Sequence, residues 1–417
     1  MNARARKSPP EARPRHVHAA DLDGAGRLLL LGIEVLVDQV EVLHLKLLGR
    51  PLAPPGAGGV TGIVYRRVKS TIRITGHWIG RRRPGAGAPR HSTAQREAVL
   101  AALNGLFGDL LARTGNPLAI PMRLRIGGQP LATTAAALAA LPDAGPKLLI
   151  LVHGLCRCDL QWQRAGHDHG AALARDLGYT TLYLHYNSGR HISTNGRALA
   201  LLLEELVGAW PRRVEEITLL THSMGGLVAR SACHYAEQAG YGWRAQLRHL
   251  VFLGTPHHGA PLERHGNWLT AVLGRSMITA PFARLGELRS AGITDLRHAN
   301  LVDEDWRGRN RFDQDGTLPR ALALPAGVRC YTVAGSTGRR AGDLRDRLLG
   351  DGLVPLDTAL GRHADPARSL VFPASHQWTG FGIHHLDLLS RPEVYAQLRH
   401  WLGKRRRKDR DGIKAGR

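Results

Sequence analysis

The run Leu219-Leu220-Thr221-His222-Ser223-Met224-Gly225-Gly226-Leu227-Val228 constrains the fold more than any other part of the 417-residue chain. An apolar stretch runs into a serine, and two residues later a pair of glycines opens a second apolar stretch. A strand can turn into a helix this abruptly only if the backbone at the serine is strained and its neighbours are small. Such a turn lifts the Ser223 hydroxyl clear of the main chain, as nucleophilic attack on a carbonyl requires. It also aims the Met224 N–H at the place where an oxyanion would form, at a helix N-terminus that favours negative charge. Thr221 stands where the G-x-S-x-G form of this turn has its first glycine. A serine that merely caps a helix is the competing reading.

The chain from residue 146 onward keeps a rhythm that suits this turn. Short apolar runs at 148–152, 181–185, 217–220, 250–253, 328–333 and 370–372 read as strands. Segments at 171–177, 199–207 and 225–239 read as helices between them. Strands apolar on both sides and separated by helices predict an α/β fold, a mostly parallel sheet with helices on both faces. Residues 260–325 break the rhythm with Gly, Arg and Asp, and are expected to form a lid-like insertion. Ser390 and Glu393 have capping-box spacing and predict a last helix running to Trp401.

A serine nucleophile needs a base, and the base needs an orienting acid. In this kind of fold they follow in the chain order Ser, Asp or Glu, His. Gly350-Asp351-Gly352-Leu353-Val354-Pro355 holds Asp351 between glycines with an apolar anchor behind it. Asp343 and Asp346 compete for the acid's role but sit in an Arg-rich stretch that reads as surface ion pairing. Gly382-Ile383-His384-His385-Leu386-Asp387-Leu388-Leu389 falls just before the last helix, where the base belongs. His385, next to the apolar anchor, is preferred, and His384 is the alternative. Asp387 reads as a turn residue. Upstream, the strand at 148–152 leads into His153-Gly154-Leu155, a loop placed to offer the Leu155 amide as the second oxyanion donor, with His153 holding the loop. His153, His222, His257 and His258 are expected at the pocket rim. His167-Asp168-His169 marks a helix start and reads as a cap in preference to a metal pair.

These pieces, together with Gly254-Thr255-Pro256-His257-His258-Gly259, resemble the motifs of bacterial serine α/β-hydrolases of the lipase and esterase type. The chain is similar in particular to GPI-inositol deacylase-like proteins over roughly residues 146–402. The resemblance implies the α/β-hydrolase fold, with Ser223 as nucleophile, Asp351 as acid and His385 as base. It further implies cleavage of carboxylic esters, lipid esters included, through an acyl-enzyme. No cofactor or metal is expected, and the expected partner is a small-molecule or lipid ester. The alternatives are acyl transfer on the same triad, and a non-catalytic protein of this fold that binds anionic membrane or nucleic acid through basic tails.

The formal net charge of +23 makes the nucleic-acid alternative worth testing. Much of the excess sits in the tails at 1–20 and 403–417 and in Arg81-Arg82-Arg83. With no aromatic-interleaved basic groove, zinc-finger spacing or RRM signature, nucleic acid is disfavoured. Peripheral contact with anionic membrane is the role left to the tails. Four cysteines, Cys156, Cys158, Cys233 and Cys330, are too few for a disulfide scaffold.

Residues 1–20 thus read as a disordered basic tail, 21–146 as a mainly helical region, 147–402 as the catalytic domain and 403–417 as a second basic tail. Within the helical region, Leu29, Ile33, Leu36, Val40, Leu43 and Leu47 share one face of a helix. Glu34, Asp38 and Glu41 on another face argue against a membrane span. Ser92 and Gln95 have the spacing of a helix start, and residues 122–126 read as a strand or hairpin arm before Gly127-Gly128. No cleavage site follows the first apolar run, so a cytoplasmic location is expected. Oligomeric state is not legible.

Overall fold

The computed structural model describes residues 17–47, 67, 70–71, 92–260, 290–308, 322–340 and 350–404. The chain divides into two compact units. One comprises Met1–Leu100 and Leu111–Ala119, the other Ala101–Leu110 and Ile120–Arg417.

Among its described residues the first unit holds α1 (Ala19–Leu47), part of α2 (Ala94–Arg113) and the helical residues Arg67, Ser70 and Thr71. Asp21 in the first turn of α1 accepts the His18 N–H at 2.8 Å and pairs with Arg96 at 2.6 Å. Leu29 and Ile33 are exposed. The side chains of residues 34–47, which carry the rest of the expected apolar face and its acids, lie outside the described residues. Thr93, and not Ser92, caps α2, accepting the Arg96 N–H at 3.2 Å, while Ser92 Oγ accepts from the Arg96 guanidinium. Among the described residues no helix is long and apolar enough to cross a membrane.

Eight strands build the second unit: β1 (Arg123–Ile126), β2 (Gln129–Leu131), β3 (Lys147–Val152), β4 (Thr180–His185), β5 (Glu216–His222), β6 (Leu247–Leu253), β7 (Arg329–Ser336) and β8 (Gln377–Phe381). They form one sheet in the order β2-β1-β4-β3-β5-β6-β7-β8. Every pairing from β4 through β3, β5, β6 and β7 to β8 is parallel, while β1 runs antiparallel to both its neighbours. Parallel neighbours need crossovers, and the helices supply them. The crossovers hold α4 (His169–Leu177), α5 (Ile192–Ala209), α6 (Met224–Gln238), α7 (Ala291–His298) and α8 (Leu356–Ala359), while α3 (Ala135–Ala139) precedes β3 and α9 (Pro392–Leu402) follows β8. The arrangement is the α/β-hydrolase fold.

Burial on both faces explains the continuous apolar runs. On one face Leu149, Leu151, Leu220, Val251 and Val333 pack with Leu173 of α4 and with Val394, Leu398 and Trp401 of α9. On the other, α5 packs on α6, and α6 lies against β3, β5 and β6. The β1–β2 hairpin turns through Gly127 and Gly128 at φ 55° and 76°, so the sheet draws two of its strands from the stretch 21–146.

Three details differ from the sequence expectation. Residues 370–372 form no strand: Val371 is 86% exposed, and Pro373, which has no N–H to donate, leads into a tight turn. The edge strand is β8 instead, pairing Val333 with Trp378. The last helix starts at Pro392, whose missing N–H costs nothing in a first turn, and Ser390 makes no cap. Of the expected insertion, residues 260, 290–308 and 322–325 are described. Residues 261–289 and 309–321, most of both tails and Arg81-Arg82-Arg83 lie outside the described residues.

Candidate active site

The turn after β5 has the strained form its sequence implies. Ser223 sits at φ 54° and ψ −128°, a conformation that L residues rarely adopt. Its N–H donates to Leu253 O at 2.9 Å, its carbonyl accepts the Gly226 N–H at 3.0 Å, and its side chain makes no capping bond to α6. A Cβ at Gly225 would run into the carbonyl oxygens of Val152 and His153, so α6 can approach β3 only over a glycine. Thr221 fits in place of the first glycine because its hydroxyl donates to Val251 O of β6 at 2.8 Å and is fully buried.

Asp351 and His385 are brought together on the loops after β7 and β8. His385 Nδ1 lies 2.7 Å from Asp351 Oδ2, and the His385 N–H donates to Asp351 O at 3.0 Å. The other carboxylate oxygen accepts the N–H groups of Leu353 at 3.1 Å and Val354 at 2.9 Å. A carboxylate so held is an acceptor, so Nδ1 carries the proton and Nε2 presents its lone pair. Gly254 floors the pair: at φ 56°, a Cβ there would press on His385, Asp351 and Leu388. His384 is exposed, its N–H bonded to Asp387 Oδ2 at 3.2 Å in a local turn. Asp343 and Asp346 lie outside the described residues.

Leu155 lines the same cleft as Ser223, and Met224 follows the serine at the start of α6. Among the described residues neither the Leu155 nor the Met224 amide has an acceptor. Gly154 backs directly onto Ser223, since a Cβ on it would stand 2.9 Å from the serine's own. The loop beyond is fixed by Cys156, at φ 57°, whose N–H donates to Ser188 Oγ at 3.0 Å. Before it, Tyr186 Oη donates to His153 O at 2.7 Å and the two rings stack. Burial pushes the Cys156 thiol up to about 12, which leaves it a packing group and no nucleophile.

Ser223 and His385 line one cleft. The Ser223 hydroxyl makes no hydrogen bond to a described residue, His385 included; such bonds commonly tighten only with substrate in place. Of the four histidines expected at the rim, His222 lines the cleft and the other three do not. His153 lies behind the loop, its Nδ1–H donating to Gly154 O at 2.9 Å, and burial brings its pKa down to about 4. His257 is buried beside the rings of Phe252 and Phe372. His258 bonds Gly361 O at 3.0 Å. The distant partners of His257 and His258 are not visible in a loop motif. His222 itself is held neutral by burial and by the nearby His385, and its Nε2 lies 3.1 Å from His385 O.

The sequence reading missed Arg157, a half-buried cleft residue two positions beyond Leu155. It also missed Leu296 of α7 and Leu353, which line the apolar wall. His167 and His169 do not converge on a metal: His167 Nε2 bonds His169 Nδ1 at 2.8 Å, and His169 Nε2 donates to Leu388 O at 3.0 Å. Asp168 caps α4 through the Ala171 N–H.

A family profile described as a domain of unknown function, DUF7379, matches residues 127–293. No curated protein matches the chain. Among solved structures, the chain is similar to the mature form of the Bacillus licheniformis lipase BlEst2, at 20% identity and TM-score 0.42, covering 68% of this chain and 98% of that one. Aspergillus fumigatus lipase B matches at 12% identity and TM-score 0.39, covering 67% and 60% respectively. The RedJ thioesterase of the prodiginine pathway in Streptomyces coelicolor matches at 18% identity and TM-score 0.34, covering 67% and 97%. Each is a likeness of fold alone.

Proposed function

We propose that the chain is a serine hydrolase of carboxylic esters. The observation that carries this reading is the buried His385–Asp351 pair facing the same cleft as a strained serine that caps nothing. In the first half-reaction His385 Nε2 takes the Ser223 proton as Oγ bonds to the ester carbonyl carbon. The negative oxygen is held by the Leu155 and Met224 amides, each worth a few kcal/mol of barrier. Collapse breaks the bond to the alcohol, which leaves with the proton from His385. Water, deprotonated by the same nitrogen, then attacks the acyl-enzyme and restores the serine. Asp351 keeps the imidazole in the productive tautomer and steadies its positive charge in both transition states.

The cleft wall, with Leu155, Pro256, Ala260, Leu296, Val354 and Leu386, suits an apolar acyl chain. Each buried methylene adds about 0.8 kcal/mol, so medium chains are expected to outrun acetyl esters. The test is fluorophosphonate labelling of the purified chain beside Ser223→Ala, followed by a panel of p-nitrophenyl esters of increasing length. Labelling that survives Ser223→Ala would sink the reading, and a flat chain-length response would remove its acyl-site part.

A further inference from the structure

We propose that this cleft selects esters bearing an anionic group, a phosphate or a carboxylate, close to the scissile bond, and that Arg157 is the residue that reads it. The inference rests on Ser223 being the nucleophile.

Arg157 is the one lysine or arginine among the described residues that line the cleft, and no Asp or Glu lines it. The rest of the wall is mainly aliphatic, as named above. A positive charge on a residue that lines such a wall acts through a low dielectric, where its attraction for an anion is far stronger than on an open surface. Its planar fork matches the two oxygens of a carboxylate or phosphate. Placement adds a second constraint. Arg157 follows the Leu155 donor on the same short loop, and the intervening Cys156 is locked by Ser188 Oγ at 3.0 Å. An anion bound there lies only a few bonds from a carbonyl whose oxygen is held by Leu155.

The surrounding electrostatics agree. Burial lowers the Arg157 pKa from its usual value, and the like charge of Arg164 acts in the same direction. Arg157 also disfavours the charged forms of His222 and His153, so its field reaches the residues beside the nucleophile. A formal net charge of +23 adds long-range attraction for anionic substrates.

The test uses the full chain and two matched ester pairs. p-Nitrophenyl butyrate against p-nitrophenyl hydrogen succinate places a carboxylate on the acyl side. Glycerol monobutyrate against its glycerol-phosphate counterpart places a phosphate on the alcohol side. The wild type is expected to favour the anionic member of one pair by about tenfold or more in kcat/KM, and that pair identifies the side and the anion. Arg157→Gln is expected to bring the ratio close to one. Arg157→Lys keeps charge without the fork and retains part of it. A wild-type ratio of one or less in both pairs overturns the proposal without recourse to any variant. So does a preference that survives Arg157→Gln, or equal losses on neutral and anionic esters, which would make Arg157 a further oxyanion donor. Turnover of neutral esters with no anion preference defeats this inference alone. Absence of any Ser223-dependent turnover defeats the hydrolase reading and takes the inference with it.

Discussion

The residue immediately before the candidate nucleophile holds the loop that carries the candidate base: His222 Nε2 lies 3.1 Å from the carbonyl oxygen of His385, across 163 positions of chain. A carbonyl only accepts, so the proton sits on Nε2, and the two rings lie 4.6 Å apart. The bond ties the end of β5 to the loop after β8. Removing the donor with His222→Phe keeps an aromatic body but releases the His385 loop. The expected result is a fall in kcat of about tenfold with KM nearly unchanged, equivalent to one hydrogen bond of roughly 1–1.5 kcal/mol. His222→Gln, which can still donate, should recover part of it. A rise in KM at constant kcat would show instead that His222 only shapes the cleft.

Adjacent His384 and His385 should separate by orders of magnitude. His385 is buried against Asp351, while His384 faces solvent. His385→Ala is expected to lower kcat by about 10⁴–10⁶, and His384→Ala by less than about twofold. Asp351→Asn should fall in the first class, because an amide in that nest cannot accept from Nδ1 as a carboxylate does and the imidazole turns to the wrong tautomer. Steady-state kinetics on a p-nitrophenyl ester decide it, and comparable losses at 384 and 385 would contradict the assignment of the base.

What was legible in the sequence is what short-range physics specifies. The runs that became β3, β5 and β6 are apolar on both sides because helices cover both faces, and that pattern needs no knowledge of the partners. The Ser223 turn and the glycines around Asp351 announce themselves through backbone demands that few other residues satisfy. The 370–372 run misled because apolarity alone cannot show that Pro373 diverts the chain, leaving Val371 exposed while the mixed segment Gln377–Phe381 pairs with β7. His257 and His258 were placed at the rim because their loop follows β6. Their surroundings come from distant segments, Phe372 for one and Gly361 for the other. Arg157 was invisible for the same reason, since an arginine in an Arg-rich chain signals nothing until its loop is seen folded into the cleft.

Two glycine-to-alanine changes should have opposite effects. At Gly225 the new methyl meets backbone carbonyls of Val152 and His153, atoms that can give way only by moving β3 off α6. Gly225→Ala is expected to destabilise by about 1–3 kcal/mol or more and to abolish labelling of Ser223. Gly208, in the last turn of α5, has open space around it and is exposed. There alanine should stabilise by about 0.5–1 kcal/mol through helix propensity. Urea unfolding of the two variants beside wild type checks both signs.

Acid should unfold the second unit through its buried histidines. Burial brings both His153 and His169 down to about 4 from the ordinary value of 6.5, and it moves His222 and His257 further in the same direction. Folded, these rings stay neutral; unfolded, they take up protons once the pH drops below about 6.5. Their stabilising contribution is therefore complete above that pH and is lost progressively as the pH falls toward 4. Each histidine adds about 1.4 kcal/mol per pH unit within the window. The unfolding free energy measured in urea should accordingly drop between pH 6.5 and 5 with a slope of several protons. His169→Gln preserves a donor toward Leu388 O, which His169 Nε2 reaches at 3.0 Å, but it cannot titrate. Its slope should be shallower than wild type by about one proton. An unchanged slope would mean that His169 is protonated in the folded chain, which would leave His167 Nε2 without the acceptor that the neutral ring offers at Nδ1.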